Sequence, residues 1–121
     1  MKTIILGLVL SSINLIPGTT ITYVQEDNEI IKAEVSAYTS AVDETDDTPH
    51  ITASGEITRH GIVACPSRFE FGTKIEIEGQ IFECQDRMAG RYRSGNYFDV
   101  WVESKEVAYK WGRKNLNIKI L

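Results

Sequence analysis

This chain is short of the features that usually announce a function, and each shortage excludes something. It has two cysteines, Cys65 and Cys84, and two histidines. No C-x-x-C pair and no neighbouring His pair accompanies them, so the pattern gives a metal centre little support, and neither a metal nor another cofactor is expected. A catalytic thiol would have to draw on His50 or His60, and no spacing favours it. Lys and Arg nowhere form a dense stripe, which argues against nucleic acid as a partner. No glycine-rich loop leads into a helix, so nothing would cradle a nucleotide phosphate. The apolar run Ile4 to Leu10 is soon diluted by Ser11, Ser12 and Asn14 and is too short to span a membrane comfortably. There is no internal repeat and no low-complexity tract.

What is present begins with that same run. Lys2 precedes it and Pro17-Gly18-Thr19-Thr20 follows, so residues 1–20 read as a secretory signal peptide. An uncleaved anchor is the alternative, and membrane contact is expected only through it. No Cys follows the run, so lipoprotein processing is not expected. Residues 21–33 read as a linker or a short leading strand, and residues 34–121 as one small domain, expected to be a monomer. An exported domain can keep a disulfide between its two cysteines. Closing a loop of that length stabilises by about 3 kcal/mol in the chain-entropy model, which matters where the core is thin. The net charge is −4, unevenly placed: Glu26 to Glu56 carries nine acids and one base, Ile57 to Leu121 eleven bases and eight acids. Acidic pairs such as Asp43-Glu44 and Asp46-Asp47 read as solvated loop.

Short strands follow one another closely. Glu34 to Tyr38 is the first, and Thr39 to Pro49 a polar surface loop. His50 to Gly55 is a compact turn. Gly61 to Cys65 is a buried strand that Pro66 ends. Thr73 to Glu78 alternates as a half-buried strand, turns tightly at Glu78-Gly79-Gln80, and returns through Ile81 to Gln85. That return delivers Asp86 at its end, with 82, 84 and 86 on one face. Tyr97 to Val102 sets Asp99 and Trp101 on one face and Phe98, Val100 and Val102 on the other. Ser104 suits an N-cap for a helix over Lys105 to Trp111, with Gly112 just past its end. Leu116, Ile118 and Ile120 alternate in a last strand. The pattern is that of a mainly β chain folded as a compact barrel with one small helix.

The densest chemistry lies between Phe82 and Val102, FECQDRMAGRYRSGNYFDVWV. Two apolar segments each carry an aspartate, Asp86 and Asp99, on either side of a basic, glycine-containing loop. Aspartate forms strands poorly and resists burial. Paired carboxylates suit general acid/base work on a glycosidic bond. Turn capping, or pairing with Arg87, Arg91 or Arg93, is the commoner reason for such residues, and residue chemistry alone leaves both readings open.

The motifs SAYTSAVDETDDTPHITASG (Ser36 to Gly55), GIVACPSRFEFGTKIEI (Gly61 to Ile77), ECQDRM (Glu83 to Met88), FDVW (Phe98 to Trp101) and EVAYKWGRKNLNIKIL stand in one order. Together, over residues 35–121, they resemble the three-aspartate (3D) domain of bacterial cell-wall proteins. That family is similar to the catalytic barrel of membrane-bound lytic transglycosylase A and more distantly to rare-lipoprotein-A and expansin barrels. The resemblance implies a small six-stranded double-psi β-barrel with one short helix near the C-terminus. It implies an exported enzyme whose partner is the glycan of peptidoglycan, cleaved between N-acetylmuramic acid and N-acetylglucosamine. Asp99 matches the family's last aspartate, the acid/base of the transglycosylase relatives, and Asp86 the middle one, as its electrostatic and hydrogen-bonding partner. The first aspartate would stand about where Cys65 is. A Cys65–Cys84 bond would then hold that position against the strand presenting Asp86. Tyr38 and Trp101 become candidates for stacking on sugar, Thr52 and Ser54 for hydrogen bonds to it, and Arg87 for its carboxylates. Core packing, local capping and solvated loop are the alternatives for these five.

Two other functions stay in view. One is a glycan-binding barrel without turnover. The other is a thiol or metal site built from Cys65, Cys84 and His60.

Overall fold

A computed structural model of the chain describes Gly18, residues 28–41 and residues 50–121. The signal-peptide segment, most of the linker and the acidic pairs of the surface loop lie outside the described residues. Six strands form: β1 (Glu29–Tyr38), β2 (Ile62–Cys65), β3 (Lys74–Ile77), β4 (Gln80–Arg87), β5 (Tyr97–Trp101) and β6 (Lys114–Ile120). Among the described residues one α-helix, α1 (Lys105–Trp111), precedes β6, and a single 3-10 turn spans Gly90–Arg93. The strands close into a barrel in the order β1-β5-β2-β4-β3-β6. The expected mainly β barrel with a short helix near the C-terminus is therefore what the chain forms.

Alternation builds the inside. Val35, Val63, Cys65, Ile75, Ile77, Cys84, Phe98 and Val100 point into the barrel and are almost wholly buried. Their β-branched and aromatic side chains suit a pleated, packed surface. β1 begins at Glu29, so residues 29–33 are strand, and they pair antiparallel with β6 from Glu29↔Ile120 to Val35↔Lys114. The leading-strand reading of that segment is the one realised, because Ala33 and Ile31 pack against the core. The β3–β4 hairpin turns on Glu78 and Gly79, whose φ angles of 50° and 77° suit the tight turn that follows strand twist. Ser104 caps α1 by accepting from the Val107 N–H at 3.3 Å, and Gly112 follows the helix at φ 69°. Trp111 packs α1 on the barrel and donates its indole N–H to the Val35 carbonyl at 3.3 Å.

One register departs from simple alternation. Val63 pairs with Cys84, but the next residue, Ala64, pairs with Asp86. Gln85 is thus an extra residue in β4, a bulge. The expectation that Cys84 and Asp86 share a face is corrected: Cys84 points into the core, and the bulge brings Asp86 onto the outward row of Ala64. The bulge also buries Gln85, whose amide donates to Glu83.

Cys65 and Cys84 are joined, 19 residues apart in sequence, and no free cysteine remains. Bonded to one another, these two sulfurs offer neither a thiolate nucleophile nor metal ligands. Both bonded residues are fully buried in the core. Reduction under denaturing conditions should lower the unfolding free energy by about 3 kcal/mol, the loop-entropy value. Urea unfolding with and without reductant, with intact mass after alkylation to count thiols, measures it; alkylatable thiols in unreduced protein would refute the bond.

Candidate functional site

The outer faces of β1 and β5 lie side by side because these strands pair in parallel. Glu34 is opposite Tyr97, Ser36 opposite Asp99, and Tyr38 opposite Trp101. Asp99 also pairs across its other edge with Ala64, which in turn pairs with Asp86. Ser36, Asp99, Ala64 and Asp86 therefore make one row running over four strands. The two aspartates sit two strand spacings apart, roughly 10 Å between backbones, with a methyl group between them.

Ser36 donates its hydroxyl hydrogen bond to the Asp99 carboxylate. Burial raises the pKa of Asp99 above the usual aspartate range. The Ser36 hydrogen bond and the charge of Arg113 pull it down, whereas Asp86 and Glu34 push it further up. Burial prevails, so the carboxyl holds its proton to higher pH than a solvated aspartate.

Asp86 is held by three donors. Tyr38 donates its hydroxyl at 2.7 Å, the Ala53 N–H donates at 3.0 Å, and the Arg87 N–H at 2.9 Å. Burial and the Asp86 carboxylate both raise the Tyr38 phenol, which therefore remains a donor at any working pH. Tyr38 thus ties the carboxylate on β4 to β1.

The Thr52-to-Gly55 turn docks on this site through its backbone. Besides the Ala53 contact, the Ser54 N–H donates to the Gln85 carbonyl at 3.2 Å. The side chains of Thr52 and Ser54 engage one another at 3.0 Å, and the Thr52 hydroxyl accepts from the Glu56 N–H at 3.1 Å. Local capping thus occupies both hydroxyls. Trp101 follows Asp99 on the same face, donates its indole N–H to Ser40 at 3.0 Å, and meets His60 edge-on at 5.2 Å. His60 itself is exposed and lies 3.5 Å from Glu103.

Arg87 goes elsewhere. Its guanidinium donates to Cys65 Sγ at 2.9 Å and lies over the Phe71 ring at 4.0 Å. Only its backbone joins the site. Arg91 stays with the Tyr92 hydroxyl at 2.7 Å, and Arg93 donates to the Met88 carbonyl at 2.8 Å.

A pocket of about 190 Å³ opens over Asp99. Ser36, Glu34 and Arg113 line it beside the acid, and Met88, Tyr92 and Tyr97 form the apolar side. Tyr92 and Tyr97 meet edge to face at 5.0 Å. Tyr97 lies so close to Gly95 that a Cβ there would meet its ring at 2.5 Å. An open groove of about 470 Å³ shares Glu34 and Tyr97 and extends past Lys32, Asn96 and Asn115.

The structure therefore joins Tyr38 to Asp86 and sets Asp99 in the same row, with Trp101 beyond it and the Thr52–Ser54 turn behind Asp86; of the residues expected from the sequence, Asp99 alone lines the pocket. Sequence reasoning missed Ser36, Glu34, Arg113, Tyr92, Tyr97 and the Ala53 N–H. A usable signal existed for two of them: Glu34, Ser36 and Tyr38 alternate on one face of a strand whose other face is apolar.

No protein-family model matches the chain, and no curated protein matches it in sequence.

A test of the buried acid follows by linkage. With its pKa raised on folding, Asp99 binds more protons folded than unfolded between the ordinary aspartate value and its folded value. Its contribution to stability is full below the ordinary value and is lost as pH rises through the folded one. Asp99→Asn should therefore be more stable than wild type at neutral pH, with the difference shrinking toward pH 4. Urea midpoints measured across that range would contradict the assignment if the two proteins ran parallel.

Proposed function

We propose that this chain is a 3D-type barrel that cleaves peptidoglycan glycan between N-acetylmuramic acid and N-acetylglucosamine, as a lytic transglycosylase with Asp99 as its one acid/base. The observation that carries this reading is a carboxyl whose burial favours its protonated form, lining a pocket on the outer face of the barrel. The closed six-stranded barrel with two parallel pairs, β1–β5 and β2–β4, supports the double-psi expectation. The disulfide is compatible with an oxidising compartment, and we assign the working protein to the exported, cell-envelope side.

Ordinary glycosidases need two carboxyl groups, because water must be activated opposite the leaving group. A transglycosylase does not, because the muramic acid's own C6 hydroxyl attacks its anomeric carbon. Asp99 gives its proton to the glycosidic oxygen as the bond to the leaving sugar breaks. The resulting carboxylate takes the C6 hydroxyl proton as the new C–O bond closes the 1,6-anhydro ring. The acid is regenerated and no water is consumed. Raising the pKa by burial readies the first step. The Ser36 hydroxyl fixes the orientation of the carboxyl, and Asp86, anchored by Tyr38 and Ala53, adds negative potential that favours the protonated form and a developing positive charge on the sugar.

A second reading, a glycan-binding barrel without turnover, is favoured by Cys65 standing where the family's first aspartate would be. Digesting purified peptidoglycan with the full chain and with Asp99→Asn, followed by mass spectrometry, separates the two. The proposal expects anhydromuramic ends from wild type only, with a rate that falls as pH rises through the raised Asp99 value. Reducing ends would mean a hydrolase. Co-sedimentation of both proteins with the glycan and no new ends would establish the binding module instead.

A further inference from the structure

Among the described residues lining the pocket over Asp99, Arg113 is the one cation. Its Nε lies 2.9 Å from a Glu34 carboxylate oxygen, with the arginine side chain 73% and the glutamate 27% exposed. Glu34 is fixed on β1, between Tyr97 of β5 and Asn115 of β6. Arg113 sits on the short connection between Gly112 and β6, and its side chain reaches back over the pocket.

An ion pair this exposed contributes about 0–1 kcal/mol, so structure alone gives it little reason to occupy the site. It also works against the acid beside it, because the Arg113 charge lowers the pKa of Asp99. The other nearby arginines are committed elsewhere: Arg87 to the disulfide, Arg91 to Tyr92, Arg93 to Met88, and Arg68 to the Gly95 carbonyl at 2.8 Å.

We infer that Arg113 is the pocket's recognition residue for a carboxylate carried by the bound saccharide, and that Glu34 occupies the guanidinium until that carboxylate replaces it. The inference rests on the glycan-cleaving reading and narrows its preferred substrate to glycan whose muramic lactyl groups are free carboxylates, not amide-linked to a peptide. A guanidinium fork matches a carboxylate with two parallel hydrogen bonds, whereas the pair with Glu34 engages Nε. Tyr97 and Tyr92 offer ring surface beside it, and Asp99 stands across the same pocket. An acidic sugar would therefore meet a cation, two aromatic rings and the acid in one place. Exchanging Glu34 for the ligand's carboxylate keeps Arg113 paired and adds one negative charge near Asp99, so the acid holds its proton more firmly once the acidic sugar is bound.

The test uses full-chain Asp99→Asn, which cannot turn over, titrated by calorimetry with a tetrasaccharide of alternating N-acetylglucosamine and N-acetylmuramic acid. Its comparison ligand is the same sugar with the lactyl carboxylates converted to carboxamides. The carboxylate form should bind on the order of tenfold tighter, the effect of one charge-assisted hydrogen-bonded pair. Adding Arg113→Gln should bring it down to the carboxamide level. Arg113→Lys should leave an intermediate preference, and Glu34→Gln should tighten the acidic sugar alone. Equal binding of both sugars by the Arg113-containing protein overturns carboxylate recognition and leaves glycan binding standing. A preference that survives Arg113→Gln overturns the role of Arg113. Failure of both sugars to bind overturns this inference together with the glycan reading beneath it.

Discussion

The geometry of the site depends on one extra residue in β4. Strict alternation from Cys84 would have turned Asp86 into the barrel, against the disulfide and an apolar interior where a carboxylate is costly. The Gln85 bulge steps the strand by one, keeps Cys84 bonded to Cys65, and sets Asp86 level with Ala64 on the outer face. From there Asp86 meets the Tyr38 hydroxyl and the Ala53 N–H, which come from two distant parts of the chain. The bulge thus reconciles a requirement of the core with a requirement of the surface within three consecutive residues.

Around this row the two carboxyl groups receive opposite treatment. Asp86 accepts three hydrogen bonds, two of them from backbone N–H groups that cannot move far. Asp99 has one hydroxyl donor and is otherwise buried beside Asp86, Glu34 and the partly exposed Arg113. Similar residues two strands apart therefore acquire different chemistry from their neighbours, one as a fixed acceptor and the other as a reluctant anion.

Much of this was legible in the sequence where one physical rule acted alone. The alternation of Thr73 to Glu78, the Glu78-Gly79 turn, the Ser104 cap and the Gly112 stop each reflect a local preference, and each appears where expected. Asp99 and Trp101 share a face because β5 has no bulge. The misplacement of Asp86 relative to Cys84 came from a register shift that depends on Ala64, twenty-two positions earlier, and on the need to bury a disulfide. Arg87 looked available for a ligand because sequence does not show that its guanidinium lies over the disulfide and Phe71. Glu34 and Arg113 are far apart in the chain, and only barrel closure between β1 and β6 brings them together.

That closure has a consequence for when the chemistry can exist. β1 carries Glu34, Ser36 and Tyr38, yet both strands it pairs with, β5 and β6, come last. Ser36 meets Asp99 63 residues later, and Tyr38 meets Asp86 48 residues later. No local hairpin can assemble the pocket in advance, and such long-range pairing forms slowly. Before those strands pair, position 99 carries only an ordinary, solvated aspartate. The raised pKa of Asp99 and its hydrogen bond to Ser36 are therefore products of the completed fold, because its burial and its Ser36 partner exist only once β5 and β6 have seated on β1.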